Sequence, residues 1–156
     1  MSAIKWVLAG GLAAGLLDIT DAFIVFTSRG IKFMSITQAI TAGLIGPSAF
    51  KGGVATFFEG LALHFAMAVV MALVFYAIVK LVPFLAKHIV VTGLVYGVGL
   101  FFVMNYLVVP NSQFQHGKFP SFPPDLDFLT INALFCHIIL VGLTIALFTR
   151  RALKDA

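Results

Sequence analysis

Leu8-Ala-Gly-Gly-Leu-Ala-Ala-Gly-Leu-Leu-Asp-Ile-Thr-Asp-Ala-Phe23 is the stretch that decides the fold, because it is apolar enough for a membrane and yet carries two carboxylates. An Asp at the centre of a transmembrane helix costs roughly 2.5–3.5 kcal/mol on insertion scales. Asp18 and Asp21 are therefore expected to face protein, water or a bound ion rather than lipid. The stretch predicts a membrane-spanning helix with one polar side that other helices must cover.

The composition of the whole chain is that of an integral membrane protein. Hydrophobic residues make up 61% of its 156 residues, charged residues only 10%, and the mean hydropathy is +1.08. At about 20 residues per span, this length accommodates four spans with short connections, so we predict a single transmembrane domain over residues 1–156. The net charge of +4 does not indicate a nucleic-acid partner, because the basic residues are scattered at the span ends.

The apolar runs predict an all-α, integral membrane four-helix bundle. We expect spans one to four at about residues 4–27, 54–80, 88–109 and 127–149. In span one, Gly11-x-x-x-Gly15 would let another backbone approach closely, and Gly93 and Gly97 repeat this spacing in span three.

A short amphipathic surface helix is predicted between spans one and two, at about residues 35–45. Ser35-x-x-Gln38 indicates a capping box at its start. The residues expected on its apolar side are Ile36, Ala39, Ile40 and Leu44.

The connection between spans three and four, at about residues 110–126, is rich in prolines and aromatics. Proline fixes extended backbone, so we expect a stiff outer loop that covers one mouth of the bundle. Asp125 or Asp127 is expected to cap the start of span four.

The distribution of basic residues favours a location of both termini in the cytoplasm. With four spans, six basic residues lie on the side of the termini, namely Lys5, Lys80, Lys87, Arg150, Arg151 and Lys154. Four lie on the other side, namely Arg29, Lys32, Lys51 and Lys118. Trp6 is expected to anchor span one at the inner interface.

Polar residues within the spans predict an intramembrane polar centre. Its expected members are Asp18, Asp21, Glu59, His64, Asn132 and His137. At 1.5 Å per residue, both histidines lie roughly 15 Å below the outer ends of their helices, and Asp18 is at nearly the same depth.

Several chemistries fit such a centre. A divalent metal, whether zinc, manganese, iron or copper, is a candidate cofactor with His64, His137 and Asp18 as ligands. A b-type haem clamped between the two histidines is another. A proton or ion relay could run through Asp18, Asp21 and Glu59, and purely structural hydrogen bonds between helices would use the same residue types.

No motif in the chain supports an enzymatic activity. A nucleophile elbow, a P-loop, a paired-cysteine motif and His-Glu-x-x-His are all absent from the sequence, and its one cysteine, Cys136, lies in an apolar run typical of a small hydrophobe. The leading hypothesis is therefore a non-enzymatic membrane component, either a subunit of a larger membrane complex or a small binding protein. The alternatives are a metal- or haem-binding redox component and a proton-coupled small-solute carrier. The expected partners are the lipid bilayer, other membrane subunits or a second copy of the chain.

Nearly the whole chain resembles a group of small four-span bacterial inner-membrane proteins of uncharacterised function. The resemblance rests on the segments Arg29-Gly30, 36–53, 59–65, 93–97, 104–110 and 137–142. It implies a multi-pass protein of the bacterial inner membrane and assigns no catalytic residue.

Overall fold

Four long helices dominate the structure, a computed structural model that describes residues 2–155 of the predicted domain. No strand occurs in that range, so the predicted all-α class is confirmed, and all four helices are long and apolar enough to cross a membrane. Their bounds are Ala3–Ser28 for span one, Gly53–Leu81 for span two, Ile89–Val108 for span three and Phe128–Ala152 for span four.

Shorter helices join the first three spans. A connecting helix, Phe33–Ile45, follows span one, and a 3-10 turn, Gly46–Lys51, leads from it into span two. A single turn, Pro83–Lys87, links spans two and three, with its proline at the start, where a missing N–H costs no helical hydrogen bond.

Spans three and four each contain a wider, π-helical segment. Span three changes from α-helix to π-helix at Val103–Val108. Span four is α-helical over Phe128–Phe135, π-helical over Cys136–Leu143 and α-helical again over Thr144–Ala152. Such segments are rare and frequently lie at functional sites.

Span one is the central helix, packed against span two on one side and span four on the other. Its glycines make this possible, because a Cβ added to Gly11 would lie 2.7 Å from the Cα of Val69. Span three packs against span four through the second glycine pair, since a Cβ on Gly97 would lie 2.6 Å from the Cα of Ile138. The close approach expected at Gly11 and Gly15 is confirmed, and the structure adds a second one at Gly93 and Gly97.

Spans two and three diverge from each other and leave one side of the bundle open. The Tyr96 hydroxyl bridges them by donating to the Met71 carbonyl at 2.9 Å, and its ring lies 5.0 Å from that of Phe75. A groove of about 580 Å³ lies between the two spans. Its lining is almost wholly apolar and includes Leu63, Val70, Val74, Gly99, Leu100 and Val103.

The capping box predicted for the surface helix is wrong. The connecting helix begins at Phe33, before Ser35, and no side chain caps it. The Gln38 amide instead donates to the Gly53 carbonyl at 2.9 Å, and so ties the connecting helix to the start of span two.

The connecting helix packs a partly polar face against span two. Thr37, Gln38 and Thr41 are buried against span two, and the Thr41 hydroxyl donates to the Thr56 carbonyl at 2.7 Å. Of the residues expected on the apolar side, Ile36 is buried and Leu44 is 63% exposed. Gln38 and Thr41 find partners in span two that lipid cannot offer.

The loop before span four is held at several points. Its Gln113 N–H donates to the Gly43 carbonyl of the connecting helix at 2.8 Å, and Phe114 packs against Phe50 with ring centroids 5.2 Å apart. Asp127 caps span four by accepting from the Thr130 N–H at 2.8 Å, so the predicted cap is confirmed at this aspartate. Asp125 accepts from the Ser121 hydroxyl instead.

Replacing Gly11 by alanine is expected to weaken the bundle, because the new Cβ would meet the backbone of span two. Overpacking of this kind costs about 1–3 kcal/mol, measured as the free energy of unfolding of detergent-solubilised protein in a denaturing-detergent titration. Gly99→Ala is the matched control, since a Cβ there meets nothing within 4 Å. Equal stability of the two variants would contradict the packing described for spans one and two.

The Asp127 cap predicts a pH-dependent contribution to stability. The hydrogen bond from the Thr130 N–H lowers the pKa of Asp127, so the cap stabilises the protein above the ordinary carboxyl pKa and is lost as the pH falls through the lowered value. At neutral pH, the Asp127→Ala variant should therefore melt at a lower temperature than the wild-type protein. At a pH low enough to protonate Asp127 in the wild-type protein, the two melting temperatures should be equal. Melting curves of both proteins across this pH range test it, and a constant difference would rule the cap out.

Candidate functional site

A small cavity of about 60 Å³ lies between the four spans, and each of them contributes to its lining. Three of the predicted polar residues come together here from three different spans, namely Asp18, His64 and His137. The other lining residues are Gly15, Met67, Ala68, Met71, Met104 and Val141.

His64 is buried and held by the backbone of span one. Its Nε2 lies 2.8 Å from the Gly15 carbonyl oxygen. A carbonyl only accepts, so Nε2 carries the proton, and Nδ1 of the neutral ring keeps its lone pair. Close packing of span one against span two at Gly15 is what brings this carbonyl within reach.

Asp18 lies one turn beyond Gly15 and faces the same imidazole. One carboxylate oxygen is 3.9 Å from His64 Nε2, which is too long for a hydrogen bond. The side chain keeps 28% of its surface accessible. The contact with His64 therefore leaves the oxygens of Asp18 able to accept from a donor or to approach a cation.

His137 reaches the cavity from the π-helical segment of span four. Its Nδ1 lies 2.7 Å from the Ala133 carbonyl of its own helix, so this nitrogen donates and Nε2 of the neutral ring keeps its lone pair. The ring packs edge-on against Phe101, with centroids 6.0 Å apart. Each cavity histidine is thus oriented by a backbone carbonyl and retains one nitrogen that can bind a ligand.

Asp21 belongs to a second polar cluster and not to the cavity. Its carboxylate accepts from the Asn132 amide at 2.7 Å and from the Cys136 thiol at 3.0 Å. This cluster joins span one to span four. Asp21 and Asn132 were predicted as members of the polar centre, whereas Cys136 was interpreted only as a small hydrophobic residue. Cys136 lies one turn after Asn132, and this spacing could have indicated that the two side chains share a partner.

Two further differences concern span two. Glu59 is exposed and does not line the cavity, so the structure separates it from the other predicted residues. Met67 and Met71 line the cavity but were not singled out from the sequence. They lie three and seven residues after His64, a spacing that places all three side chains on one helix face.

The expected ligand trio is not arranged as a ready-made metal centre. Within residues 2–155, no group of three or more His, Cys, Asp and Glu side chains is placed to hold a metal ion. Asp18, His64 and His137 share the lining of the cavity without converging on one point.

The chain matches no protein-family profile, no curated protein and no solved structure. Its resemblance to small bacterial four-span proteins stays a prediction.

The bond between Asn132 and Asp21 is expected to contribute measurably to stability. Interhelical hydrogen bonds in membrane proteins contribute about 0.6–1.7 kcal/mol in double-mutant cycles, and a cycle of Asn132→Ala and Asp21→Ala should give a coupling energy in this range. Asn111 serves as the control, because its amide donates to the Leu107 carbonyl of its own chain segment and should show no coupling to Asp21. Zero coupling for Asn132 would contradict the role of this bond in joining spans one and four.

Proposed function

We propose that the protein is a non-enzymatic integral membrane protein that binds a small cation in the cavity between its four spans. The observation that carries the proposal is that Asp18, His64 and His137, from three different spans, all line one small cavity. Ionisable residues within membrane spans are costly, and they commonly mark ion or substrate sites.

The size of the cavity limits the ligand. A volume of about 60 Å³ is less than half that of a cavity that binds benzene, about 150 Å³. It suits a single ion, and a haem macrocycle would require the spans to move apart. The geometry therefore favours an ion over the haem considered from the sequence.

The chemistry of the lining favours a cation. Asp18 supplies carboxyl oxygens that can approach a cation, and the rings of His64 and His137, when neutral, each keep a lone pair. Histidines that bind metals almost always donate their other ring N–H to a carboxylate, a backbone carbonyl or water. Both cavity histidines already do so, which supports their role as ligands.

The surface of the bundle supports a location in the membrane. Large apolar side chains point outward along the spans, including Leu16 at 58%, Ile24 at 65% and Val95 at 65% exposure. Surface of this kind needs a covering of lipid or protein. The resemblance noted for the sequence supports the inner membrane of a bacterium.

The two ends of the chain lie together, which supports the orientation with both termini in the cytoplasm. The Trp6 indole donates to the Asp155 carboxylate at 2.8 Å. The six basic residues on the side of the termini favour the cytoplasm for that side.

Cation binding is tested by dialysing the purified protein, reconstituted in nanodiscs, against single cations, including Na⁺, Mn²⁺, Zn²⁺ and Cu(I) kept reduced, and then measuring the retained metal by mass spectrometry. One of these ions should be retained at one per chain and lost in a His64→Ala/His137→Ala variant. His88→Ala/His116→Ala is the matched control, because both of these histidines are exposed and outside the cavity.

The outcome that contradicts the proposal is retention of none of these cations by the wild-type protein, or equal retention by the cavity variant. Size-exclusion profiles and helical circular dichroism of all three proteins establish that they are folded. With normal folding and no bound ion, the polar centre would serve only to join helices.

A further inference from the structure

We infer that the bound cation is a soft monovalent one, Cu(I), and that the thioethers of Met67, Met71 and Met104 belong to its ligand set. The inference rests on the proposed function and specifies the ligand of the same cavity. Three of the five methionines in the chain line this cavity.

The three methionines approach the cavity from two directions. Met67 and Met71 share a face of span two with His64, at spacings of three and seven residues. Met104 comes from span three, within its π-helical segment. With His137 from the π-helical segment of span four, residues that carry sulfur or nitrogen donors line the cavity from three spans.

The donor types select the metal. Thioethers are soft ligands that favour Cu(I), whereas carboxylate, carbonyl and water suit hard ions such as Mg²⁺ and Mn²⁺. Imidazole also binds copper. A lining of three thioethers, two imidazoles and one carboxylate therefore fits Cu(I) better than the divalent ions.

The charge balance points the same way. Asp18 is the one carboxyl group in the cavity lining, and both histidines have to be neutral to bind a metal through nitrogen. A monovalent ion beside one carboxylate gives a neutral site, whereas a divalent ion would leave a net positive charge. Net charge in an apolar interior is expensive, so the monovalent ion is favoured.

Ordinary core packing does not account equally well for these methionines. Methionine is flexible and commonly fills irregular gaps between helices. Here three methionines surround a space of about 60 Å³ that they leave unfilled. The same three residues also line the groove between spans two and three, so they stand where that groove meets the cavity.

The test is anaerobic competition for Cu(I) between a colorimetric Cu(I) chelator and the full-length protein in nanodiscs. Wild-type protein should take Cu(I) from the chelator, and a Met67→Leu/Met71→Leu/Met104→Leu variant should bind it at least about tenfold more weakly. Leucine conserves the volume of methionine, so the variant is expected to fold. Met34→Leu is the matched control, since Met34 lies on the connecting helix, outside the cavity.

X-ray absorption at the copper edge provides a readout that a merely structural role would not change. Sulfur scatterers should surround copper in the wild-type protein and in Met34→Leu, and nitrogen or oxygen alone should remain in the triple variant. Because the spectrum of the wild-type protein is decisive by itself, the test holds even if the triple variant fails to fold.

Two results would overturn the inference, and they are distinguishable from failure of the proposed function. If the protein retains Zn²⁺ or another ion through His64 and His137, with no preference for Cu(I), cation binding stands and the copper assignment fails. A copper spectrum without sulfur scatterers likewise removes the thioether ligands alone. Retention of no cation at all overturns both proposals.

Discussion

Two carboxylates in an apolar helix need partners that lipid cannot supply, and the arrangement of the bundle follows from this need. Asp21 is satisfied by Asn132 and Cys136 of span four. Asp18 faces His64 of span two. The two aspartates are neighbours on one face of the helix, and yet each meets a different span, so span one packs between spans two and four.

The glycines of span one allow this arrangement at short range. Without a Cβ at Gly15, span two approaches closely enough for the Gly15 carbonyl to accept from His64. The same contact therefore packs two helices, satisfies a buried imidazole and determines which of its nitrogens is left for a ligand. A change that separates spans one and two would therefore also remove the partner that orients the His64 ring.

Spans two and three differ from the other neighbouring pairs of spans because they diverge and leave a groove between them. Their contact through Tyr96 leaves a groove that shares its methionines with the cavity. Both π-helical segments contribute residues to the cavity, Met104 in span three and His137 in span four. The cavity with its ionisable residues therefore lies beside an apolar groove that opens toward the outer surface of the bundle.

The sequence by itself determined the class of protein, the four spans, the glycine pairs and most of the polar residues of the site, because hydropathy, helix length and small-residue spacing are local properties. Only the tertiary structure decided the order of the helices around span one. It also decided which polar residues meet: Asp18, His64 and His137 share a cavity, whereas Glu59 faces outward. The reason is that these contacts join residues far apart in the chain, such as Gly15 and His64, and a local pattern cannot specify which helix faces another.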